Sequence, residues 1–175
     1  MKRTFLAVLA TGLVLAGCGY STRSLIADKY RTIYVAPFEN KIDYLNQEER
    51  KIYVPGLETK TRQEVIDRYL FDGNLRIGQE ETADLVLKGQ ILSFERDDLR
   101  LTDNEDVKEY RVRVTVALTL IDPVEDNKIV WSEPSFSGEA TYYISGPLAK
   151  SETAANIEAI QDLARRVVAR TVEDW

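Results

Sequence analysis

The chain has 175 residues, with 29 acidic and 23 basic side chains and no histidine. This length suffices for one domain with a single core, and the net charge of −6 argues against general nucleic-acid binding, which needs a basic surface. Because histidine is the commonest general base and metal ligand, the sequence predicts no enzyme activity, no catalytic residue, no metal site and no cofactor.

The chain begins with a leader and a lipid-attachment sequence. Lys2 and Arg3 precede an apolar stretch at 4–16. That stretch is too short to span a bilayer, which takes about 20 residues, and it is typical of a secretory signal. The next residues, Leu15-Ala16-Gly17-Cys18, resemble the bacterial lipobox. We therefore expect residues 1–17 to be removed as a signal peptide and Cys18, the only cysteine, to be acylated.

The sequence also predicts which membrane holds the anchored protein and where its folded domain begins. Two or three acyl chains, as such lipoproteins carry, give a stable anchor. Gly19 stands where an aspartate would favour retention in the inner membrane, so we expect the periplasmic face of the outer membrane. Residues 18–31 are predicted to be a lipidated tether, and residues 32–175 a single α+β domain.

A strand and a helix open this domain. Residues 32–38 are rich in β-branched and aromatic side chains and predict a strand, followed by a charged loop at 39–52. A helix is predicted over about 57–71, ended by Gly73. Its buried face carries residues spaced four apart: Leu57, Thr61, Val65 and Tyr69.

Four strands are predicted next, and the third has the clearest pattern. Strands at 75–77 and 84–95 precede a charged hairpin loop at 97–107. Over 110–121, apolar and polar side chains alternate strictly, which puts one face on a core and the other in solvent. The core face carries Tyr110, Val112, Val114, Val116, Leu118 and Leu120, and the exposed face carries Arg111, Arg113, Thr115, Ala117 and Thr119.

The last strand and helix complete the domain. A returning strand over 128–143 is expected to be interrupted at Pro134, which has no N–H to donate. A helix then begins near Ser151, and its apolar face carries Ile157, Ile160, Ala164, Val167, Val168 and Thr171. The order β-α-β-β-β-β-α predicts a two-layer α+β sandwich, with two helices on one face of a four- or five-stranded, mostly antiparallel sheet.

Four arginines are candidate ligand-binding residues. Arg111 and Arg113 lie on the exposed face of their strand, and Arg96 and Arg100 lie near the facing end of the strand before it. Guanidinium groups bind phosphate with two parallel hydrogen bonds, so the four are candidates for binding an anionic lipid. The alternative is cross-strand pairing with acidic neighbours, worth about 0.2–1 kcal/mol per pair. Those neighbours are Glu95, Asp97 and Glu109.

Ordered motifs give the chain a family resemblance. They are Cys18-Gly19-Tyr20, the strand sequence Ile-Tyr-Val-Ala-Pro-Phe-Glu-Asn at 33–40, Gly56-Leu57-Glu58 at the helix start, and Ala-Asp-Leu-Val-Leu-Lys-Gly-Gln-Ile at 83–91. In this order and spacing the sequence resembles the LptE family of lipopolysaccharide-assembly lipoproteins. The resemblance implies helices packed against a sheet and an LptD-type outer-membrane β-barrel as partner, whose lumen the lipoprotein plugs. It also implies contact with lipopolysaccharide on its way to the outer leaflet.

Two further points concern the partner. If the chain is such a plug, its charged loops at 39–52 and 97–107 and its sheet edge are expected to meet the barrel. The strand motif at 33–40 also resembles periplasmic lipoproteins that activate penicillin-binding proteins, and curli-secretion lipoproteins. The alternative function is therefore regulation of a penicillin-binding protein or a part in a secretion assembly.

Overall fold

The computed structural model describes residues 29–44 and 50–173. The signal peptide, Cys18 and most of the predicted tether lie outside these residues. The elements, in chain order, are β1 (Thr32–Val35), β2 (Glu39–Asn40), α1 (Leu57–Asp72), β3 (Arg76–Ile77), β4 (Leu85–Leu101), β5 (Val107–Asp122), β6 (Lys128–Tyr143) and α2 (Glu152–Glu173). Among the described residues, neither helix is long and apolar enough to cross a membrane.

All six strands form one mixed sheet. The order is β3-β1-β4-β5-β6, and β2 also pairs with β4. β1 runs parallel to β3 and β4, whereas β4–β5 and β5–β6 are long antiparallel pairs. α2 packs on β6 and β5, α1 packs beside β1 and β3, and the two helices touch each other. The predicted α+β class, with two helices on one face of the sheet, is confirmed.

The core lies between the sheet and the helices. Along β5 the even-numbered residues from Val112 to Leu120 are buried, and the odd-numbered residues between them are half-exposed. This is the alternation that the sequence predicts. Because each fully buried Val or Leu contributes roughly 1.5–3 kcal/mol, this strand is a large part of the stabilising burial.

The first helix also follows its sequence pattern. Its buried residues are Leu57, Thr61, Val65 and Tyr69, and it ends at Gly73, where φ is 76° and the N–H donates to Tyr69 O at 3.0 Å. The buried Tyr69 hydroxyl donates to Thr171 Oγ1 of α2 at 2.8 Å. Burial raises the pKa of Tyr69, so the hydroxyl stays protonated and ties the two helices together.

The charged hairpin is shorter than the sequence suggests. β4 runs on to Leu101 and β5 begins at Val107, so the prediction of a loop over all of 97–107 is wrong. The charges that indicated a loop are paired across strands: Arg100 Nε lies 3.0 Å from Glu109, and Arg50 Nη1 lies 3.5 Å from Asp97. Pairing with distant residues overrides the low strand propensity of this segment.

Three other expectations need correction. β6 continues through Pro134 as one strand, but its pairing with β5 is irregular there: Glu133 pairs with Leu118 and Phe136 with Val116, so a bulge of one extra residue accommodates the proline. In the predicted loop at 39–52, Glu39–Asn40 form β2 and Lys51 bridges to Glu95. Of the six residues predicted on the buried face of α2, only Ile157 is exposed, at 47%, and Ala155, Ala159 and Leu163 are buried beside the other five.

A glycine lets α2 cross the edge strand β6 at very short range. A Cβ atom at Gly138 would lie 2.3 Å from the backbone N of Leu163 and 2.6 Å from Ala159 O. At the same place Asp162 accepts the Glu139 N–H at 3.1 Å, and the Arg166 guanidinium donates to Ser137 O at 2.6 Å. The helix thus satisfies outward-facing backbone groups of the edge strand.

Two aspartates fix the point where the chain enters the fold. Asp84 Oδ2 accepts the N–H groups of Arg31 and Thr32 at 2.8 and 2.9 Å and also the Thr32 hydroxyl. Tyr30, part of the predicted tether, is buried and its hydroxyl donates to Asp122 Oδ2 at 2.9 Å. We call this end of the sheet, where Lys29 enters, the anchor end, and the opposite end, which carries residues 101–107, the hairpin end.

Replacing Gly138 tests the helix crossing. We expect Gly138→Ala to lower the free energy of unfolding by about 1–3 kcal/mol, because the added methyl group overpacks against helix backbone that cannot move aside. Urea unfolding followed by circular dichroism measures the change. Gly78→Ala is the control, since a Cβ there meets the nearest atom at 3.3 Å, on a side chain. Equal effects of the two substitutions would contradict the crossing geometry.

Stability should depend on acid pH through the entry aspartates. Burial by itself raises the pKa of Asp84, but the hydrogen bonds from Arg31 and Thr32 outweigh it, so this pKa lies below the ordinary value. The pKa of Asp122 is lowered in the same way, against its burial, by the N–H of Glu125 and the hydroxyl of Tyr30. Stability from such carboxylates is complete above the unfolded pKa of about 4 and is lost as the pH falls through the folded pKa.

We therefore expect Asp84→Asn to cost about 1–3 kcal/mol at neutral pH and to reduce the fall in stability between about pH 5 and pH 2. Urea midpoints across that range measure both effects. Asp103→Asn, in the exposed hairpin loop, should change neither. An Asp84→Asn protein that loses as much stability on acidification as the wild type would count against this account.

Candidate functional site

The surface with candidate function is the face of the sheet opposite the helices, which we call the open face. Both helices, α1 and α2, pack on the other face. The register of β5 assigns its odd-numbered residues to the open face, since its even-numbered ones are buried. Among residues 29–44 and 50–173, no three acidic or cysteine side chains are grouped closely enough to hold a metal ion.

The sheet separates the four candidate arginines. Arg96 pairs in register with the buried Val112, so it lies on the helix side. Its Nη1 is 2.5 Å from Glu152, in the first turn of α2, and its guanidinium lies 4.7 Å from the centre of the Tyr110 ring. Tyr142 donates to the same Glu152 oxygen at 3.0 Å. Arg96 therefore holds the start of α2 on the sheet.

The other three arginines lie on the open face near the hairpin end. Arg111 Nε and Arg113 Nη2 lie 3.8 and 3.4 Å from one oxygen of Glu139 on β6. Arg100 lies 3.0 Å from Glu109, which is buried, and donates to the Tyr143 hydroxyl at 3.3 Å. Cross-strand partners thus exist for all three, and Arg111 and Arg113 reach Glu139 on β6, a partner that sequence reasoning did not consider.

Acidic side chains flank the central arginines on both sides. In the β4–β5 register Glu95 lies opposite Arg113 and Asp97 lies opposite Arg111, while Glu139 lies on the β6 side. The arginine side chains are about one-third exposed. An incoming phosphate would have to compete with these carboxylates, so this part of the open face is a balanced array of charges and not a basic patch.

Along the strands the open face changes in character. Near the anchor end, Tyr34, Val86, Ile121 and Ile129 pair in one row across β1, β4, β5 and β6. The middle of the face carries Thr115, Ala117, Thr119 and Ser132, and charged residues follow toward the hairpin end. The sequence pattern of β5 predicted which of its own residues lie on this face. It could not predict the apolar row, because that row depends on the register of four strands.

A model of the LptE family, described as lipopolysaccharide-assembly, matches residues 30–171. The chain belongs to the LptE family. The match runs from the buried Tyr30 into the last turns of α2, so it covers both layers of the sandwich. The family membership predicted from the ordered motifs is confirmed. Among curated proteins, none matches the sequence.

Solved structures share the fold at low sequence identity. A hypothetical protein from Chlamydia trachomatis has 15% identity and a TM-score of 0.53, with 81% of this chain and 95% of that one covered. A protein from Xanthomonas campestris has 13% identity and a TM-score of 0.53, with 82% and 87% covered. Both similarities concern the fold alone.

The helix side of this LptE-family protein carries a separate apolar groove. It has a volume of about 500 Å³ and lies between the chain before α1 and the first turns of α2. Ile157 and Tyr53, which are 47% and 71% exposed, line it together with Ile52, Val54, Pro55 and Lys60. The sequence did not predict this groove, because the spacing of apolar residues along α2 placed Ile157 on the buried face of the helix.

A charge swap distinguishes a structural from a functional role for Arg113. We expect Arg113→Glu to lower the free energy of unfolding by about 0.2–1 kcal/mol, because it removes an ion pair and adds an acid beside Glu95 and Glu139. The double variant Arg113→Glu/Glu139→Arg should recover most of the loss, as thermal melting would show. If the swap restores the melting temperature but not the association with a partner or lipid, Arg113 has a functional role. If it restores both, the role of Arg113 is structural.

Proposed function

We propose that this protein is an outer-membrane lipoprotein, acylated on Cys18, that plugs an LptD-type β-barrel and assists delivery of lipopolysaccharide to the outer leaflet. The observation that carries the proposal is the LptE-family match over residues 30–171. Under the proposal the protein has no catalytic step, and it acts by occupying and shaping the path of the lipid.

The surface of the domain fits a polar barrel interior. The lumen of an outer-membrane barrel is polar, whereas its outer wall is apolar. On the open face near the hairpin end, Arg111, Arg113 and Glu139 form paired charges. Such a face is compatible with a wet, polar lumen and would be costly against hydrocarbon.

The arginines keep a proposed role in this arrangement. Arg100, Arg111 and Arg113 share the open face, so they are the proposed contacts to the barrel wall or to lipid phosphate. Arg96 lies on the helix side, where Glu152 holds it. A contribution of Arg96 to binding would therefore act through the position of α2, as a positioning residue.

A co-purification experiment tests the function. We expect a large β-barrel to co-purify with the tagged full-length protein from detergent-solubilised membranes, identified by mass spectrometry. Recovery of a penicillin-binding protein or of secretion-channel components instead would favour the alternative function. Recovery of neither class, from membranes that contain the barrel, would contradict the proposed partner.

The control separates anchoring from partner binding. Cys18→Ala should leave the protein without fatty acid, as metabolic labelling with a radioactive fatty acid would show, because the acylated thiol is absent. Labelling of this variant at the wild-type level would refute the lipid anchor. If the Cys18→Ala variant, which carries no fatty acid, still associates with the barrel, then the folded domain and not the anchor recognises the partner.

A further inference from the structure

The apolar part of the open face lies where the chain enters the fold. The cross-strand row at the anchor end consists of Tyr34, Val86, Ile121 and Ile129. Val86 is buried, Tyr34 and Ile121 are half-buried, and Ile129 is 59% exposed. The adjoining β5–β6 turn exposes Val124 to 81%. Isolated apolar residues are common on protein surfaces, but here a row across four strands continues into an exposed turn.

The charges next to this turn largely compensate one another. Glu125 lies 3.0 Å from Lys29 and 2.9 Å from Lys128, so one carboxylate lies between two ammonium groups. Asp122 is buried, and the Tyr30 hydroxyl and the N–H groups of the turn donate to it. Of the exposed charges that remain at this end, Glu80, Glu81 and Asp126 are acidic and Arg31 and Arg76 are basic, so this end is close to neutral and favours a zwitterionic over an anionic surface.

The length of chain before Lys29 limits where this end can lie. Ten residues separate Cys18 from Lys29, and they span at most about 40 Å when fully extended. β5 alone has 16 residues and is about 50 Å long. Since Lys29 and Tyr30 are fixed to the β5–β6 turn, an acylated Cys18 keeps that turn within about 40 Å of the bilayer, whereas the hairpin end can lie up to about 90 Å away.

We propose that the anchor end is a membrane-contact surface, on which Val124 and Ile129 enter the headgroup region of a zwitterionic lipid leaflet. The inference rests on the proposed acylation of Cys18. α1 ends at the same end of the domain, where its last turn exposes Leu70 and Phe71 to 62% and 79%. The domain then stands on the leaflet with its strands inclined to the surface, and its charged hairpin end is farthest from the headgroups.

Site-specific fluorescence in vesicles tests this orientation. The acylated full-length protein carries Val124→Cys or Ile129→Cys, each labelled with bimane, in vesicles of phosphatidylcholine and phosphatidylethanolamine that contain nitroxide-labelled acyl chains. Because the native Cys18 thiol is blocked by lipid, the added thiol is the only one labelled. We expect a blue shift of the emission and a loss of fluorescence to the nitroxide at both positions.

Leu148→Cys is the matched control, because Leu148 is apolar and 73% exposed but lies beyond β6 at the hairpin end. Its probe should be neither shifted nor quenched. If the protein floats with the vesicles but the probes at 124 and 148 are quenched equally, or neither is quenched, the proposed contact surface is wrong. The lipid anchor is still supported in that case. Protein that does not float contradicts the anchor, and the inference with it. A probe at 124 that becomes shielded from aqueous iodide only in the barrel complex assigns the surface to the barrel and overturns the lipid assignment.

Discussion

In β5, apolar side chains alternate with polar ones from Val112 to Leu120, and the pairing of β4 and β6 to this strand depends on that register. A slip by one residue would move every buried side chain to the open face, at a cost of roughly 1.5–3 kcal/mol for each Val or Leu exposed. The constraint also decides where charges go. Arg111 and Arg113 must face away from the helices, and Arg96, paired with Val112, must face them.

The charged half of the open face shows how a long strand can be built from residues with low strand propensity. Each ion pair there is partly exposed and contributes little alone, but together the pairs remove the repulsion that unpaired charges would create. The same pairing sets the binding properties of the face. A phosphate can reach Arg111 or Arg113 only in competition with Glu139, so an anionic ligand there would be held weakly.

The periodic spacing of apolar residues correctly predicted those helices and strands that keep one side against the core along their length. The helix face of Leu57, Val65 and Tyr69 and the alternation of β5 were correct because one side of each meets the core throughout. The continuation of β4 to Leu101 and the passage of β6 through Pro134 depend on partners far away in sequence. The close crossing of β6 by α2 at Gly138, which buries Ala159 and Leu163, likewise joins segments that are far apart in sequence. No local window contains that information.

The motifs that identify the family show the same dependence on distant partners. Phe38 and Gly89 belong to separate motifs, yet a Cβ at Gly89 would lie 2.3 Å from the Phe38 ring. The ring thus packs directly on the glycine backbone of β4, so the two motifs form one contact in the fold. In the candidate site, the sequence supplied the arginines, but the acids on both sides of them and the apolar row at the anchor end required the register of several strands.

The contact of α2 with the rim of β6 has a consequence for association with other chains. Asp162 and Arg166 use backbone groups of Glu139 and Ser137 that would otherwise be free to pair with another chain. Free strand edges recruit foreign strands and start aggregation. The helix therefore protects this rim of the sheet from strand exchange with other chains.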